Sequence, residues 1–321
     1  MTKIATIFAA SQQPLEMALL VLPQASILEV ASTLDPLRAA NRHLGSNTYR
    51  WRVVTPNGQA APLTCGIELP SRGPLSAAEG ADALIVIAGF RQSEVATAAL
   101  IRDLSRMARG FTAIGGIDAG TWVLARAGLL NGHRATVHWE DFEDLAASYP
   151  AIEVLPDRYV IDRNRFTAGG AAPAADMMLH LIGSRHGPAL ARQTAASFIT
   201  TPQAGHLPQQ RTPLSDHRLD PRVAAAVARM ESRIDAPESS ERLAKALALS
   251  PRRLEQLFQQ NLGQTPAAYG QSLRLQAAQR MLTDTRHSLT EIALRCGFSS
   301  ASALSRAFST KFGRPPSALR K

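Results

Sequence analysis

The chain has 321 residues, 45% of them hydrophobic, and its 35 Lys and Arg against 26 Asp and Glu give a net charge of +9. This composition excludes a disordered chain, and the length predicts two domains. The longest clean apolar run, 83–90, is too short for a membrane span, and residues 1–14, with one lysine and no long apolar core, predict no signal peptide. The two cysteines, Cys65 and Cys296, exclude a disulfide scaffold and a cysteine-only zinc site, and they fit a reducing cytosol.

The first two-thirds of the chain alternates short apolar segments with helical patterns. Strands are predicted at 17–22, 51–54, 83–88, 111–117 and 166–168, and helices at 27–44, 93–109, 119–127 and 174–186. Continuous apolar strands that alternate with helices indicate a mostly parallel sheet covered on both faces. We therefore predict an α/β N-terminal domain over residues 1–199.

A sharp turn from strand to helix is predicted at Asp118. Small residues surround it at Gly115, Gly116, Ala119 and Gly120, and they permit the chain to approach the sheet closely. This pattern is typical of a nucleophile elbow, which holds one side chain above the carboxyl edge of a sheet.

The segment 200–219 differs from both of its flanks, because it holds three prolines, several glutamines and few large apolar residues. It is predicted to be a linker. After it, residues 220–321 carry 16 Lys and Arg against 8 Asp and Glu, whereas residues 1–219 are nearly neutral. A basic domain beside a neutral one favours a nucleic-acid partner, with solubility alone as the alternative.

The basic segment contains a repeat at an offset of 50 residues. Ser250, Leu254, Phe258 and Gly263 align with Ser300, Leu304, Phe308 and Gly313. Each copy predicts a short helix, a serine-capped second helix and a closing glycine, which is a helix-turn-helix. The units are predicted near 239–263 and 288–313, joined by a helix at 266–283. Such a pair can enter successive major grooves, about 34 Å apart, and a plain helical bundle is the alternative.

Five stretches of residues 220–321 carry a family resemblance. They are Leu-Ser-Pro-Arg-Arg-Leu at 249–254, Gly-Gln-Thr-Pro at 263–266, Leu-Arg-Leu-Gln-Ala-Ala at 273–278, Ile-Ala-Leu-Arg-Cys-Gly-Phe at 292–298 and Phe-Gly-Arg-Pro-Pro at 312–316. With them, the segment resembles the DNA-binding domain of AraC/XylS-type transcription regulators. The resemblance implies double-stranded operator DNA and RNA polymerase as partners, an activating role and a cytoplasmic location.

The early outward positions of each recognition helix are expected to reach base edges. They are Arg252, Glu255 and Gln256 in the first unit and Ala301, Ser302, Ser305 and Arg306 in the second. Arg favours guanine and Gln favours adenine, while Glu255 is either a cytosine reader or a repulsive filter against phosphate. Leu254, Leu257, Leu304 and Phe308 are expected to face inward. A solvated helix face is the alternative for each outward residue.

The N-terminal segment resembles the class I glutamine amidotransferase-like superfamily, in its PfpI-type branch, which implies a flavodoxin-like fold. This likeness rests on residues 112–140 and on the order of strands and helices around them, and residues 35–41, 128–132, 135–140 and 168–170 carry the likeness to the branch named next. In combination with the AraC-type segment, the chain resembles the GlxA-like regulators, in the ArgR/GbdR/CdhR-like branch. That branch senses arginine-type or betaine- and carnitine-type compounds, so the resemblance implies a small-molecule effector. It also implies a homodimer formed through this domain.

The elbow departs from the enzymes of this superfamily. They carry a cysteine where this chain has Asp118, and neither Cys65 nor Cys296 lies in a segment that replaces it. No catalytic residue, cofactor or metal is therefore predicted. The alternatives are a PfpI-type hydrolase or glyoxalase-like enzyme fused to a DNA-binding module, and an N-terminal domain that only dimerises.

The predicted effector site combines acids with aromatic rings. Its residues are Glu29, Asp118, Trp122, His138, Trp139 and Glu140. By the resemblance, Glu29 and His138 match the acid and the histidine of the enzyme site; an ordinary helix acid and a helix cap are the alternatives. Negative charge from Asp118 and Glu29 beside aromatic faces suits a cationic amino acid or a betaine-like ligand. For Trp122, a place in the core is the alternative.

Overall fold

The computed structural model describes residues 6–89, 91–207, 209, 220–285 and 287–319. The chain divides into two compact units, of which the first ends at Gln209. Among the described residues, no helix is both long enough and apolar enough to cross a membrane.

A mostly parallel sheet forms the middle of the first unit, as predicted. In chain order the strands are β1 (Leu15–Val21), β2 (Tyr49–Val54), β3 (Ala61–Pro62), β4 (Glu68–Leu69), β5 (Ala83–Ala88), β6 (Ala113–Asp118), β7 (Arg134–Ala135), β8 (Glu153–Val154), β9 (Tyr159–Asp162) and β10 (Arg165–Ala168). Six of them form one sheet in the order β2-β1-β5-β6-β10-β9, in which only the edge strand β9 is antiparallel to its neighbour. Two small sheets pair β3 with β4 and β7 with β8.

Helices cover both faces of this sheet. They are α1 (Ile27–Leu44), α2 (Gln92–Val95), α3 (Ala98–Met107), α4 (Gly120–Arg126), α5 (Phe142–Ser148), α6 (Ala171–His186) and α7 (Pro188–Ala196). One apolar core lies between the sheet and α1, α6 and α7, and a second lies between the sheet and α3, α4 and α5. The strand order reverses between β1 and β5. A crevice is expected at the carboxyl edge of such a switch point.

Local hydrogen bonds set the ends of these helices. Ser26 begins α1 by accepting the Leu28 N–H, and Gly45 ends it at a φ of 66°, so the helix spans the range predicted from the sequence. The single helix predicted at 93–109 is wrong. Its first turn is α2, and Thr97 starts α3 as a new N-cap that accepts the Leu100 N–H.

The beginning of the segment expected to be a linker packs on the first unit. Gly205 accepts the backbone N–H of Arg158 (2.9 Å), and the Asp176 carboxylate accepts that of Gln203 (3.0 Å). Residue 208 and residues 210–219 of the expected linker lie outside the described residues.

The second unit is helical throughout its described residues. Its helices are α8 (Pro221–Glu231), α9 (Ser240–Ala246), α10 (Pro251–Leu262), α11 (Pro266–Asp284), α12 (Leu289–Arg295) and α13 (Ala301–Phe312). Ser250 and Ser300 cap α10 and α13, and Gly263 and Gly313 end them in the left-handed conformation, which confirms the predicted caps. One core includes Leu254 and Phe258, and another includes Leu304 and Phe308.

Candidate functional site

The elbow predicted at Asp118 is confirmed. This residue ends β6 and has a φ of 53°, a left-handed conformation that is uncommon outside glycine, before α4 leaves the sheet. Position 120 must be glycine for this path, because a side chain there would overlap the Val86 carbonyl group of the neighbouring strand β5. The turn thus holds the Asp118 carboxyl group at the carboxyl edge of the sheet.

The structure brings Glu29 to Asp118. Glu29 lies in the first turn of α1, which follows β1 and packs on the opposite face of the sheet from α4. Glu29 is only 7% exposed. The two carboxyl groups share a hydrogen bond, for which one of them supplies the proton.

The charge of this pair differs from the expectation drawn from the sequence. Burial, and then the charge and hydrogen bond of Asp118, raise the pKa of Glu29 to about 9. Burial and the nearby Asp141 carboxylate raise the pKa of Asp118 to about 7. Glu29 is therefore protonated at neutral pH, and it does not add a second negative charge beside Asp118.

Two further acids contribute to the negative potential at Asp118. Asp141 and Glu140 both raise its pKa, with the Asp141 charge as the larger effect of the two. Asp141 was missed by the sequence reasoning, although it directly follows the predicted Glu140. The Ala119 backbone N–H at the elbow donates to Asp118 itself, so this amide is already engaged by an acid of the protein.

His138 and Trp139 lie together on the segment that leads to these acids. Their ring centroids are 5.5 Å apart, and the His138 Nδ1 atom accepts the Glu140 backbone N–H at 3.4 Å. Both residues are half-buried. The His138 ring also lies against Gly170, which follows the end of β10 at the same edge of the sheet.

Trp122 has the contacts of a core residue. Its ring packs edge-on against Tyr149, with centroids 6.0 Å apart, in the core beneath α3, α4 and α5. The structure therefore favours the core alternative for Trp122. Glu29 and Asp118 are in contact, and Glu140 and Asp141 lie close enough to act on Asp118 electrostatically.

Glu29→Gln should stabilise the fold at alkaline pH. The folded pKa values of about 9 for Glu29 and about 7 for Asp118 exceed the ordinary values of 4.5 and 3.8, so the folded chain binds protons more tightly than the unfolded chain. The contribution of this pair to the free energy of unfolding is then fully present below pH 4 and is lost as pH rises towards 9. We expect the melting temperature of the wild type to fall by about 4 °C more than that of the variant between pH 5 and 9.

The matched control for this comparison is Glu68→Gln, which changes an exposed glutamate of β4. It should follow the wild-type melting curve at every pH. A wild type and a Glu29→Gln variant whose melting temperatures change in parallel would contradict the buried carboxyl pair.

The recognition helices present the predicted residues outward. Arg252, Glu255 and Gln256 on α10 are exposed, as are Ser302 and Arg306 on α13, while Ala301 and Ser305 are half-buried. Leu254, Leu257, Leu304 and Phe308 are buried, which confirms their predicted inward orientation.

Comparisons with known proteins cover both units. The family model of DJ-1/PfpI matches residues 16–184, and that of a helix-turn-helix domain matches residues 243–321. The transcriptional regulator CdhR of Pseudomonas aeruginosa is 36% identical over 304 residues, which are 93% of this chain and 89% of the relative. The chain belongs to the AraC-type regulators with a DJ-1/PfpI domain.

Other relatives of this AraC-type regulator support the same family assignment. The regulator GbdR of P. aeruginosa is 34% identical over 95% of this chain and 84% of its own length, and GlxA of Rhizobium meliloti is 31% identical over 92% of each. A crystal structure of an AraC family transcriptional regulator from Pseudomonas putida, 25% identical, covers 58% of this chain and all of the other at a TM-score of 0.53. A THiJ/PfpI family protein from Pseudomonas syringae, 19% identical, shares the fold at 0.54 over 74% of this chain and 91% of its own.

The two family matches include the two candidate sites. The DJ-1/PfpI match contains Glu29, Asp118 and the 138–141 segment, and the helix-turn-helix match contains α10 and α13. Each candidate site of this AraC-type regulator therefore lies inside a domain of recognised type.

Proposed function

We propose that this chain is a DNA-binding transcription activator that responds to a small cationic metabolite, of the cationic amino-acid or betaine and carnitine type, held at the elbow of its DJ-1/PfpI domain. The observation that carries this proposal is the buried Glu29–Asp118 pair, with Asp141 and Glu140 acting on it, at the carboxyl edge of the sheet. Dimerisation through the DJ-1/PfpI domain and contact with RNA polymerase belong to the same proposal, on the strength of the family resemblance.

The electrostatics of the elbow support a cation as the ligand. Asp118 is half ionised near pH 7 in the absence of ligand, and Asp141 and Glu140 add negative potential around it. A cation beside Asp118 relieves the repulsion among these acids and favours the ionised form. An anionic ligand would increase the same repulsion, so anions are expected to bind poorly.

Aromatic faces beside the acids support a ligand with a quaternary ammonium or guanidinium group. The paired rings of His138 and Trp139 are half-buried and adjoin Glu140 in the chain. Such groups gain from aromatic faces as well as from carboxylates. Trp122 is left out of the proposed site because it packs against Tyr149.

The absence of a thiol at the elbow supports sensing rather than catalysis. By the family resemblance, Asp118 stands where the superfamily enzymes carry cysteine. Cys65 is exposed at the turn between β3 and β4, and Cys296 is buried in the second unit. The relatives reported above are named as transcriptional regulators.

A thermal-shift screen of the whole chain tests the effector class. Glycine betaine, carnitine, arginine and ornithine form the cationic set, defined by a quaternary ammonium, guanidinium or side-chain ammonium group whatever the net charge, and sugars and succinate, which lack such a group, form the second set. The proposal expects at least one member of the first set to raise the melting temperature. Stabilisation by the second set alone would overturn it.

Arg306→Ala should remove discrimination at one base pair of the operator. Arg306 is exposed on α13, and a bidentate arginine contact to guanine contributes about 1–3 kcal/mol to discrimination against the wrong base. Affinities are to be measured on operators that differ at single positions. A uniform loss across all of them would show a phosphate contact instead. Lys311→Ala, at an exposed residue of the same helix, serves as the control.

A further inference from the structure

We propose that Gln209 latches the segment leading to the DNA-binding unit onto the effector domain, and that occupancy of the elbow acts on this latch. The latch is defined here as Gln203, Gly205, Leu207 and Gln209 with the groups that hold them. Its link to the effector rests on the proposed function. The latch itself rests only on contacts inside the first compact unit, whose last residue is Gln209.

The side chain of Gln209 enters a polar pocket. Its Nε2 atom, which carries two hydrogens, lies within hydrogen-bond distance of three acceptors: the Val137 carbonyl oxygen (2.7 Å), the Asp157 carbonyl oxygen (3.0 Å) and the Thr136 Oγ1 atom (3.0 Å). Its backbone N–H also donates to the Pro156 carbonyl oxygen at 3.1 Å. These contacts of the side chain and the backbone hold Gln209 at one position on the first unit, as expected for a segment with a structural role.

The pocket has the shape of this side chain. A side-chain carbon at Gly169, the residue after β10, would overlap the carboxamide of Gln209, so glycine at this position leaves room for the observed placement of Gln209. Gly169 and Gly170 lie next to each other, and Gly170 adjoins the His138 ring. The Gln209 pocket and the proposed effector site therefore share this edge of the sheet.

Thr136 connects the pocket to the elbow. Thr121 lies three residues after Asp118, in the first turn of α4, and its buried hydroxyl donates to the Thr136 carbonyl oxygen at 2.9 Å. The Thr136 N–H donates to the Thr167 Oγ1 atom at 2.8 Å. One buried residue thus contacts the elbow helix through its carbonyl group and Gln209 through its hydroxyl group.

The remainder of the latch is held by a buried ion pair. Arg158 donates its guanidinium to the Asp176 carboxylate at 2.6 Å and its backbone N–H to the carbonyl groups of Gly205 and Leu207. The second oxygen of Asp176 accepts the Gln203 N–H. These contacts fix the segment up to Gln209, after which the chain continues through residues 210–219 to the DNA-binding unit.

The geometry gives the effector a route to this segment. A ligand at Asp118 would lie at the start of α4, whose Thr121 donates to Thr136, and one that also reached His138 would lie against the chain two residues after Thr136. A movement of either changes the positions of the acceptors that hold Gln209. The segment 200–209 is then in equilibrium between a latched and an unlatched state. A ligand shifts this equilibrium only if it binds the two states with different affinity, and the experiment below measures that shift.

Hydrogen–deuterium exchange on the full chain tests the latch. We compare wild type, Gln209→Ala and Gln203→Ala, the last of which removes a side chain whose contact is local, to the Thr201 carbonyl oxygen. Gln209→Ala should speed exchange in peptides covering 200–209 by about tenfold. Gln203→Ala should leave it at the wild-type rate. The latch would be overturned if residues 200–209 exchanged at the wild-type rate in Gln209→Ala. Equal protection of β6 in the three proteins shows that all of them are folded.

The same experiment with ligand separates the latch from the proposed function. Glycine betaine, carnitine and arginine are added in turn at saturation, and binding is measured by calorimetry. A compound that binds should change the exchange of 200–209 in wild type but not in Gln209→Ala, whose affinity should stay within about threefold. If a compound binds wild type without changing this exchange, the coupling is overturned. If none binds, the proposed function fails, and the ligand-free comparison still decides the latch.

Thr121 supplies an independent test of the route. Thr121→Val removes the hydroxyl that reaches Thr136 and keeps the shape of the side chain, whereas Thr121→Ser keeps the hydroxyl. We expect Thr121→Val to bind the ligand but to lose most of the ligand-dependent change in exchange, and Thr121→Ser to retain it. An undiminished change in Thr121→Val would contradict transmission through Thr136.

Discussion

Asp118→Asn is expected to weaken effector binding at least 30-fold while leaving DNA binding unchanged. A cationic ligand would pair with Asp118 inside a crevice screened from water. Removing one partner of a desolvated charge pair costs about 2–5 kcal/mol, because the other charge is left unpaired. The recognition helices lie in a separate compact unit with its own apolar cores, so the operator affinity should not change.

Asparagine is the appropriate replacement at this position. Asp118 has a φ of 53°, and asparagine tolerates left-handed backbone better than other residues with side chains, apart from aspartate. The affinities of wild type and variant for glycine betaine, carnitine and arginine are to be compared by isothermal titration. Asp103→Asn, at an aspartate of α3 whose side chain is half exposed, is the control. Equal affinity in Asp118→Asn, or tight binding only of compounds without an ammonium or guanidinium group, would contradict the account.

The pH dependence of binding adds a second comparison to this prediction. Burial and the Asp141 charge place the pKa of Asp118 at about 7, so its ionised fraction rises between pH 6 and pH 8. Because the cation binds the ionised form, wild-type affinity should rise over this range. Asp118→Asn has no carboxyl group at this position and should lack the rise.

A fragment of residues 220–321 should bind the operator and lose about 10³-fold or more in affinity between 50 and 200 mM salt. That loss is expected when about six phosphates are neutralised by basic side chains. The fragment carries 16 Lys and Arg against 8 Asp and Glu. It begins at Asp220, the N-cap of α8, and it contains two apolar cores of its own.

Fluorescence anisotropy of the fragment on labelled DNA measures this effect. The full chain should show a similar salt slope, because residues 1–219 are nearly neutral. A fragment that is folded by circular dichroism and has no affinity for DNA at 50 mM salt would contradict the assignment of DNA binding to this unit.

Local signals account for the parts of the fold that could be predicted. Ser26 and Gly45 delimit α1, and Ser250 and Gly263 delimit α10, because capping depends on residues near each helix end. The elbow at Asp118 was predictable from the small residues around it. The edge strand β9 was missed, since four residues on a sheet edge leave little periodicity.

Contacts between distant parts of the chain could not be predicted. Gln209 lies in a polar, proline-containing segment typical of a linker, and its partners are 52 to 73 residues away in sequence. The hydrogen bond between Glu29 and Asp118 joins positions far apart in the chain, and only the family resemblance suggested that they meet. The protonation of Glu29 depends on that contact and on burial, neither of which a sequence displays.

The most direct test of the central claim is the effect of the effector on operator binding by the full chain. A DNA site is first selected from a random pool, and its affinity is measured with and without the stabilising compound of the cationic set, for wild type and Asp118→Asn. The account predicts a sequence-specific site whose affinity or footprint changes with the compound in wild type only. Failure to select any site, or an identical change in both proteins, would contradict it.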